Sequence, residues 1–145
     1  MKVLLINGSP KEKGCTYTAL KEVEKKLNIN DIETEIMWIG NTPISGCIGC
    51  GICLKTGKCF RDDKVNEFLE KVPKTDGFIF GSPVHFAAIS GQLSSFMDRA
   101  FYGRGKLFSN KLAAGIVSCR RGGATAAFDE INKYFAMSNM PIVTS

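Results

Sequence analysis

Apolar residues in this chain follow two rhythms, short unbroken runs and stretches recurring every three to four positions, and the two alternate from one end to the other. Lys2-Val-Leu-Leu-Ile6 is an unbroken run closed by Asn7-Gly8-Ser9-Pro10, which predicts a buried strand entering a loop. From Thr16 onward, Leu20, Val23 and Leu27 recur among Lys and Glu, predicting an amphipathic helix that ends near Asn28. Glu33 to Ile39 predicts a second strand, edge-like because polar residues alternate with Ile36 and Trp38. Residues 41–61 then lose all periodicity. Val65, Phe68, Leu69 and Val72 restore it in a short helix that stops before Pro73, with Asp62-Asp63 as its cap. Gly77-Phe-Ile-Phe80 reads as a buried third strand running into Gly81-Ser-Pro-Val-His85. Ser90 can cap a helix carrying Leu93, Phe96, Met97 and Phe101. Leu112 to Val117 predicts a fourth strand, Ala124 to Phe135 a helix, and Pro141-Ile-Val-Thr144 a fifth strand.

Strands alternating with helices of this length make βαβ units. The expected fold is therefore α/β, a doubly wound five-stranded parallel sheet with helices on both faces, forming a single domain over residues 1–145. In such open sheets ligands bind beyond the carboxyl ends of the strands, where strand order reverses. Three loops at those ends carry unusual residues. A fifth strand starting at Pro141 also calls for a further covering helix, so a C-terminal helix is expected to be missing from a sequence that ends at Ser145.

Composition changes this picture little. Apolar residues make up 44% and charged ones 23%, globular values that argue against disorder and against a membrane protein. Only four apolar residues follow Lys2, too few for a secretory leader or a spanning helix, so the cytoplasm is the expected compartment. The net charge of +5 comes from 19 basic and 14 acidic residues spread along the chain, without the tract that nucleic acid binding would call for.

The cysteines matter more. Cys47, Cys50, Cys53 and Cys59 place four thiols in one loop, and Gly46, Gly49, Gly51 and Gly57 let the backbone fold closely around a compact centre. In a cytosolic chain they are not structural disulfides. Four Cys ligands suit a 4Fe-4S cluster or zinc. Structural zinc sites usually separate two Cys-x-x-Cys knuckles by a dozen or more residues, whereas three cysteines at spacing three followed by a fourth are nearer to ferredoxin-type ligation. Redox-active or free thiols are the third reading. Cys119 reads as a small residue at a strand end.

The loop from Gly8 to Thr18 joins the first strand to the first helix and is rich in glycine and hydroxyls at a helix N-terminus, where free N–H groups and the helix dipole favour an anion. Ser9, Thr16 and Thr18 add hydroxyl donors and Lys11 a charge. No Lys-Ser or Lys-Thr follows the second glycine, Gly14, and Gly-x-Gly-x-x-Gly is absent after this strand, so ATP and dinucleotide folds fit worse than a terminal monophosphate.

The order of strand, Gly-Ser-Pro-Lys loop, cysteine segment, Ser-Pro-Val-His loop and Arg-Gly-Gly loop resembles the NADPH-dependent FMN reductase superfamily across the whole chain. Within it, the cysteine motif resembles that of the iron-sulfur flavoproteins position by position. The resemblance implies a flavodoxin-like fold holding FMN, with the phosphate bound by Ser9, Pro10, Lys11, Gly14, Thr16 and Thr18. Lys11 stands where the family has Arg, and Cys15 where it has Asn, which removes an amide contact. It further implies that Ser82, Pro83, Val84, His85 and Phe86, with Ser118, Arg120, Gly122 and Gly123, border the isoalloxazine ring. N–H groups or Arg120 at the N1–C2=O edge would raise the potential of a flavin that becomes anionic on reduction. His85, the only histidine, is either a flavin neighbour and proton donor or a surface loop residue.

Three functions follow. The leading one is an electron-transfer oxidoreductase in which FMN and a 4Fe-4S cluster on Cys47, Cys50, Cys53 and Cys59 exchange electrons with a small-molecule or protein redox partner. The second is an NAD(P)H-dependent reductase of free flavin, quinones or nitro compounds without a cluster. The third is a non-catalytic flavodoxin-like carrier or redox-sensing module. Ile48, Ile52, Leu54 and Phe60 among the cysteines need cover. With the resemblance, they imply a homodimer or homotetramer in which this loop approaches a neighbour's flavin.

Overall fold

Val3 and Leu5 pack on one side of the first strand and Leu4 and Ile6 on the other, and all four are buried. A strand so covered must lie inside a sheet with both faces occupied. In the computed structural model, which describes residues 1–144, that strand is β1 (Lys2–Asn7). It is followed by α1 (Cys15–Ile29), β2 (Glu33–Trp38), a one-turn α2 (Ile52–Thr56), α3 (Lys64–Lys71), β3 (Gly77–Pro83), α4 (Gly91–Arg104), β4 (Leu112–Ser118) and α5 (Ala124–Met137). The sheet runs β2-β1-β3-β4 with every pair parallel, and strand order reverses between β1 and β3.

The alternation of each strand sorts the core. Leu20, Val23 and Leu27 of α1 pack with Val3 and Leu5, and with Ile36, Ile79 and Ile116, on one face. The other face carries α3, α4 and α5 and a cluster of rings, in which Phe68 lies 5.1 to 6.0 Å from Phe78, Phe80, Phe96 and Phe108. Geometry of this kind adds about 0.5–1.5 kcal/mol per pair to area burial. Two predicted caps are made: the Asp63 carboxylate accepts from Val65 N–H at the start of α3, and Ser90 Oγ accepts from Leu93 N–H at the start of α4.

Among the described residues the expected five strands are four. Residues 141–143 reach β4 only through Ala113, whose N–H donates to Pro141 O at 2.9 Å and whose carbonyl accepts from Val143 N–H at 2.8 Å, a single parallel bridge to Ile142. Pro141 has no N–H to donate and is preceded by a left-handed turn at Asn139 (φ 54°), so the bridge does not grow into a ladder. Among the described residues no helix is long and apolar enough to cross a membrane.

Candidate functional site

The carboxyl ends of β1, β3 and β4 open on one edge of the sheet, and the loop after β1 is the most firmly built of the three. Asn7 is buried; its amide donates to Glu12 O at 2.9 Å and its Oδ1 accepts from Ser9 N–H at 3.1 Å. Trp38 Nε1 donates to Ser9 O at 2.8 Å from the end of β2. Ser9 is 5% exposed, and its hydroxyl accepts from Lys11 N–H at 3.1 Å. The loop delivers Gly14 as the N-cap of α1, with no side chain capping the helix and no acidic residue in its first turn. An uncapped, acid-free helix start beside serine and threonine hydroxyls is a donor set for an anion. A Cβ on Gly14 would stand 3.3 Å from Lys11 Cβ and 3.8 Å from Ser9 Oγ, narrowing that cradle. The donors present therefore fit a phosphate monoester. Thr16 is buried and Thr18 Oγ1 donates to Gly14 O at 3.3 Å, whereas Pro10 and Lys11 are exposed.

The other two loops meet the first. Thr16 Oγ1 and Ser118 Oγ lie 3.0 Å apart, and Val84 N–H donates to Ser118 O at 2.9 Å. Ser82 is fully buried with its hydroxyl engaged locally: it donates to Pro83 O at 2.8 Å and accepts from Ser90 N–H at 2.9 Å. Ser90 Oγ in turn donates to Gly8 O at 2.7 Å, so the loops after β1 and β3 and the start of α4 form one unit. His85 is exposed, and its backbone pairs with Ala88 across a turn whose residues Phe86 (φ 50°) and Ala87 (φ 60°) are left-handed. Such φ values are rare for an aromatic residue, and Phe86 stands wholly in solvent. Arg120 and Gly122 are exposed, while Gly123 (φ 85°) touches the turn so closely that a Cβ there would lie 2.7 Å from Ala87 Cα.

The cysteine loop lies along α4. Gln92 Nε2 donates to Thr42 O at 2.7 Å, Arg99 Nη1 to Ser45 O at 3.4 Å, and Gly103 packs directly on Cys53. Positions 92, 99 and 103 are separated by two turns and then one turn, a single stripe of the helix. Cys47, Cys50, Cys53 and Cys59 line one open, shallow cavity with Arg99 and Tyr102. Cys47 and Cys50 are exposed, Cys53 and Cys59 half-buried. Among the described residues no three Cys, His, Asp or Glu side chains are grouped to hold one metal ion. Four thiols lining one pocket are the donor set that a 4Fe-4S cluster takes, so the chemistry of the residues fits that group.

Cys59 is the best-anchored of the four. Asn66, buried on α3, accepts from Cys59 N–H at 2.9 Å and donates to Cys59 O at 2.9 Å and Arg61 O at 3.0 Å. Arg99, only 4% exposed, donates through Nη2 to Cys59 Sγ at 3.2 Å and to Asp63 Oδ1 at 2.9 Å. Burial opposes its charge, but the bonds to Asp63 and Cys59 outweigh that and hold its pKa above the ordinary value. Asn7, Trp38, Asn66, Arg99 and Gly103 were not singled out as site residues from sequence. Apart from Trp38, which carries no signal beyond its place at the end of β2, their signal is a polar residue or a glycine inside an otherwise apolar or helical pattern.

Compared with known proteins, residues 1–145 match the profile of NADPH-dependent FMN reductases. The chain is similar to an iron-sulfur flavoprotein of Methanocaldococcus jannaschii, at 36% identity over 146 residues covering 99% of this chain and 76% of that protein. It is similar to one of Archaeoglobus fulgidus at 33% identity, covering 81% of this chain and 54% of that protein. The chain thus spans between about half and three quarters of the length of these two relatives. Its fold is similar to that of an NADH:FMN oxidoreductase in its apo form, with a TM-score of 0.75 at 17% identity over 99% of this chain and 73% of that one. An archaeal flavodoxin superposes with a TM-score of 0.68 at 12% identity, covering 100% of this chain and 80% of that one.

Proposed function

The chain belongs to the NADPH-dependent FMN reductase family, is a flavin-dependent oxidoreductase by that membership, and from this premise we propose that it is an electron-transfer enzyme of the iron-sulfur flavoprotein type. The observation that carries the reading is the cavity lined by Cys47, Cys50, Cys53 and Cys59 over the buried Arg99. FMN supplies two-electron chemistry and a 4Fe-4S cluster one-electron chemistry, so the two together convert hydride pairs into single electrons. Ser9, Lys11, Thr16 and Thr18, with Pro10 and Gly14 shaping the loop, bind the phosphate. Pro83, Val84, His85, Phe86, Ser118, Arg120, Gly122 and Gly123 border the ring, and Ser82 holds the loop that carries four of them. NAD(P)H or a carrier protein is the donor, the enzyme works in the cytoplasm, and neither nucleic acid nor membrane is a partner. The domain spans residues 1–145.

The two sites lie at different heights along α4. Ser90 ties the helix start to the phosphate loop and Arg99 holds Cys59, nine residues or about 14 Å further on. That separation, and the exposure of Ile48, Leu54 and Phe60 beside the cysteines, supports a homodimer or homotetramer in which the cysteine loop serves a neighbour's flavin. Anaerobically purified protein should contain FMN with about four iron and four sulfide per chain and elute as a dimer or larger by light scattering. Absence of iron and sulfide would favour the second reading, a cluster-free NAD(P)H-dependent reductase, which the exposure of Cys47 and Cys50 also suits. A monomer would remove the intersubunit route.

The phosphate assignment has its own test. Ser9→Ala and Thr16→Ala should each weaken FMN roughly 10- to 150-fold in a fluorescence titration of apoprotein, since a hydrogen bond to a charged group contributes about 1.5–3 kcal/mol. Unchanged affinity in both would place the phosphate elsewhere.

A further inference from the structure

Among the described residues Arg99 is the only charged side chain in the buried set, and it sits under the cysteine cavity. Burying a cation is unfavourable unless its charge and its donors are matched. Here most are. Nη1 meets the Asp63 carboxylate at 2.5 Å and Ser45 O, and Nη2 meets Asp63 Oδ1, Arg61 O at 3.3 Å and Cys59 Sγ at 3.2 Å. The exception is Nε, which is buried and has no partner. A guanidinium that donates to one of four cysteines, and lines the cavity they share, is placed to act on whatever those sulfurs bind.

We propose that Arg99 is a positioning residue that fixes Cys59 as a ligand and sets the reduction potential of the metal cluster through its charge and its N–H donor to Cys59 Sγ, with Asp63 as the opposing lever. The inference rests on the reading of the cysteine cavity as a cluster site. One-electron reduction by an external reductant would add a unit of negative charge to a cluster held by these thiols. A fixed cation hydrogen-bonded to a ligand sulfur stabilises that more negative state and raises the potential. Asp63 partly cancels the cation, so removing it should leave Arg99 stronger. The two residues therefore push the potential in opposite directions.

The test is a redox titration of the anaerobically purified holoprotein, followed by electron paramagnetic resonance of the reduced cluster, with the flavin potential as an internal reference. Arg99→Gln should make reduction at least tenfold less favourable, a fall of about 59 mV for one electron. Asp63→Asn should shift it the other way, and asparagine caps a helix as well as aspartate does, so α3 should stay formed. Arg99→Lys, which keeps the charge and loses the planar fork, should fall between Arg99→Gln and the wild type. The flavin potential should not move in any variant. Shifts of the same sign in Arg99→Gln and Asp63→Asn, or no shift in either, would overturn the proposal, because general loosening of the loop cannot produce opposite signs. If Arg99→Gln does not fold, Asp63→Asn alone decides, and a potential that falls or stays unchanged overturns it. Wild-type protein free of iron and sulfide would defeat the cluster reading itself, and that content is measured first.

Discussion

Gly8→Ala should lower the stability of the fold by about 3 kcal/mol, bring the thermal midpoint down by about 6–12 °C and empty the flavin site. A Cβ at this position would lie 2.7 Å from Leu93 Cδ2 and 2.8 Å from Gly81 O. Turning the leucine does not clear the site, because Leu93 is fully buried and its Cβ also lies 2.9 Å away, and the carbonyl is backbone. Gly81 O accepts the Gly8 N–H at 2.8 Å, and Gly8 O accepts the Ser90 hydroxyl at 2.7 Å. Relieving the overlap means pulling β1 from β3 at the point where the phosphate loop leaves the sheet. Overpacking accounts for about 1–3 kcal/mol and each weakened hydrogen bond for about 0.5–1.5 kcal/mol more. Gly91→Ala is the control: nothing stands within 4 Å of its Cβ, and it should be neutral or stabilising by up to about 1 kcal/mol. Thermal melts and FMN titration of the two variants check the contrast. A Gly8→Ala protein that melts with the wild type would mean that the close approach is not made.

The elements that sequence predicts well are those whose pattern has one cause. β1 and β3 are unbroken apolar runs because both faces of the sheet are covered, and α3 is announced by Asp63 and by the spacing of Val65, Phe68 and Leu69. The phosphate loop and the cysteine motif are likewise visible because their residue types are unusual for a core or a plain turn. What escapes is set by tertiary contact. The five residues of α2 are too few to show a period, and the turn is bounded by Gly51 (φ 73°) and Gly57 (φ 78°). The fifth strand has the right residues and only Ala113 to pair with. Arg99 follows Asp98 on a helix and reads as part of a solvated face, yet the cysteine loop folds over it. Asn66 looks like an ordinary polar position until its three bonds to Cys59 and Arg61 are seen.

The two buried polar residues among these misses, Arg99 and Asn66, share a partner, because each of their contacts runs to the cysteine loop or to the cap that follows it. The segment has little apolar surface of its own inside the core; of its residues only Ile44 is fully part of it. Polar clamps replace burial as the means of holding it, and clamps have no periodicity to announce them. The same account explains why α4 tolerates a glycine in its last turns, where an alanine would favour the helix by about 1 kcal/mol.

On the reading of the cysteine cavity as a cluster site, Gly103→Ala should therefore separate the fold from the cluster. A Cβ on Gly103 would overlap Cys53 Sγ and lie 3.0 Å from Cys53 Cβ. The backbone at Gly103 is ordinary right-handed helix, so alanine itself causes no strain, and its higher helix propensity should hold or raise the melting temperature. The overlap falls instead on Cys53, which rides on α2. Because that turn docks on α4 through few contacts, it is the partner that moves. Cys53 would be displaced while Cys59, held by Asn66 and Arg99, stays. Three ligands in place and one displaced make a poor site for a four-thiolate cluster, so iron and sulfide content should drop several-fold. FMN affinity should remain within about twofold of the wild type, since Ser9 and Thr16 lie toward the far end of α4. Loss of iron together with loss of FMN would mean that the variant has unfolded more than the loop, which the melting curve would reveal. Full iron content with an unchanged spectrum would mean that Cys53 does not pack on Gly103 in the loaded protein, and the docking of the loop on α4 would have to be redrawn.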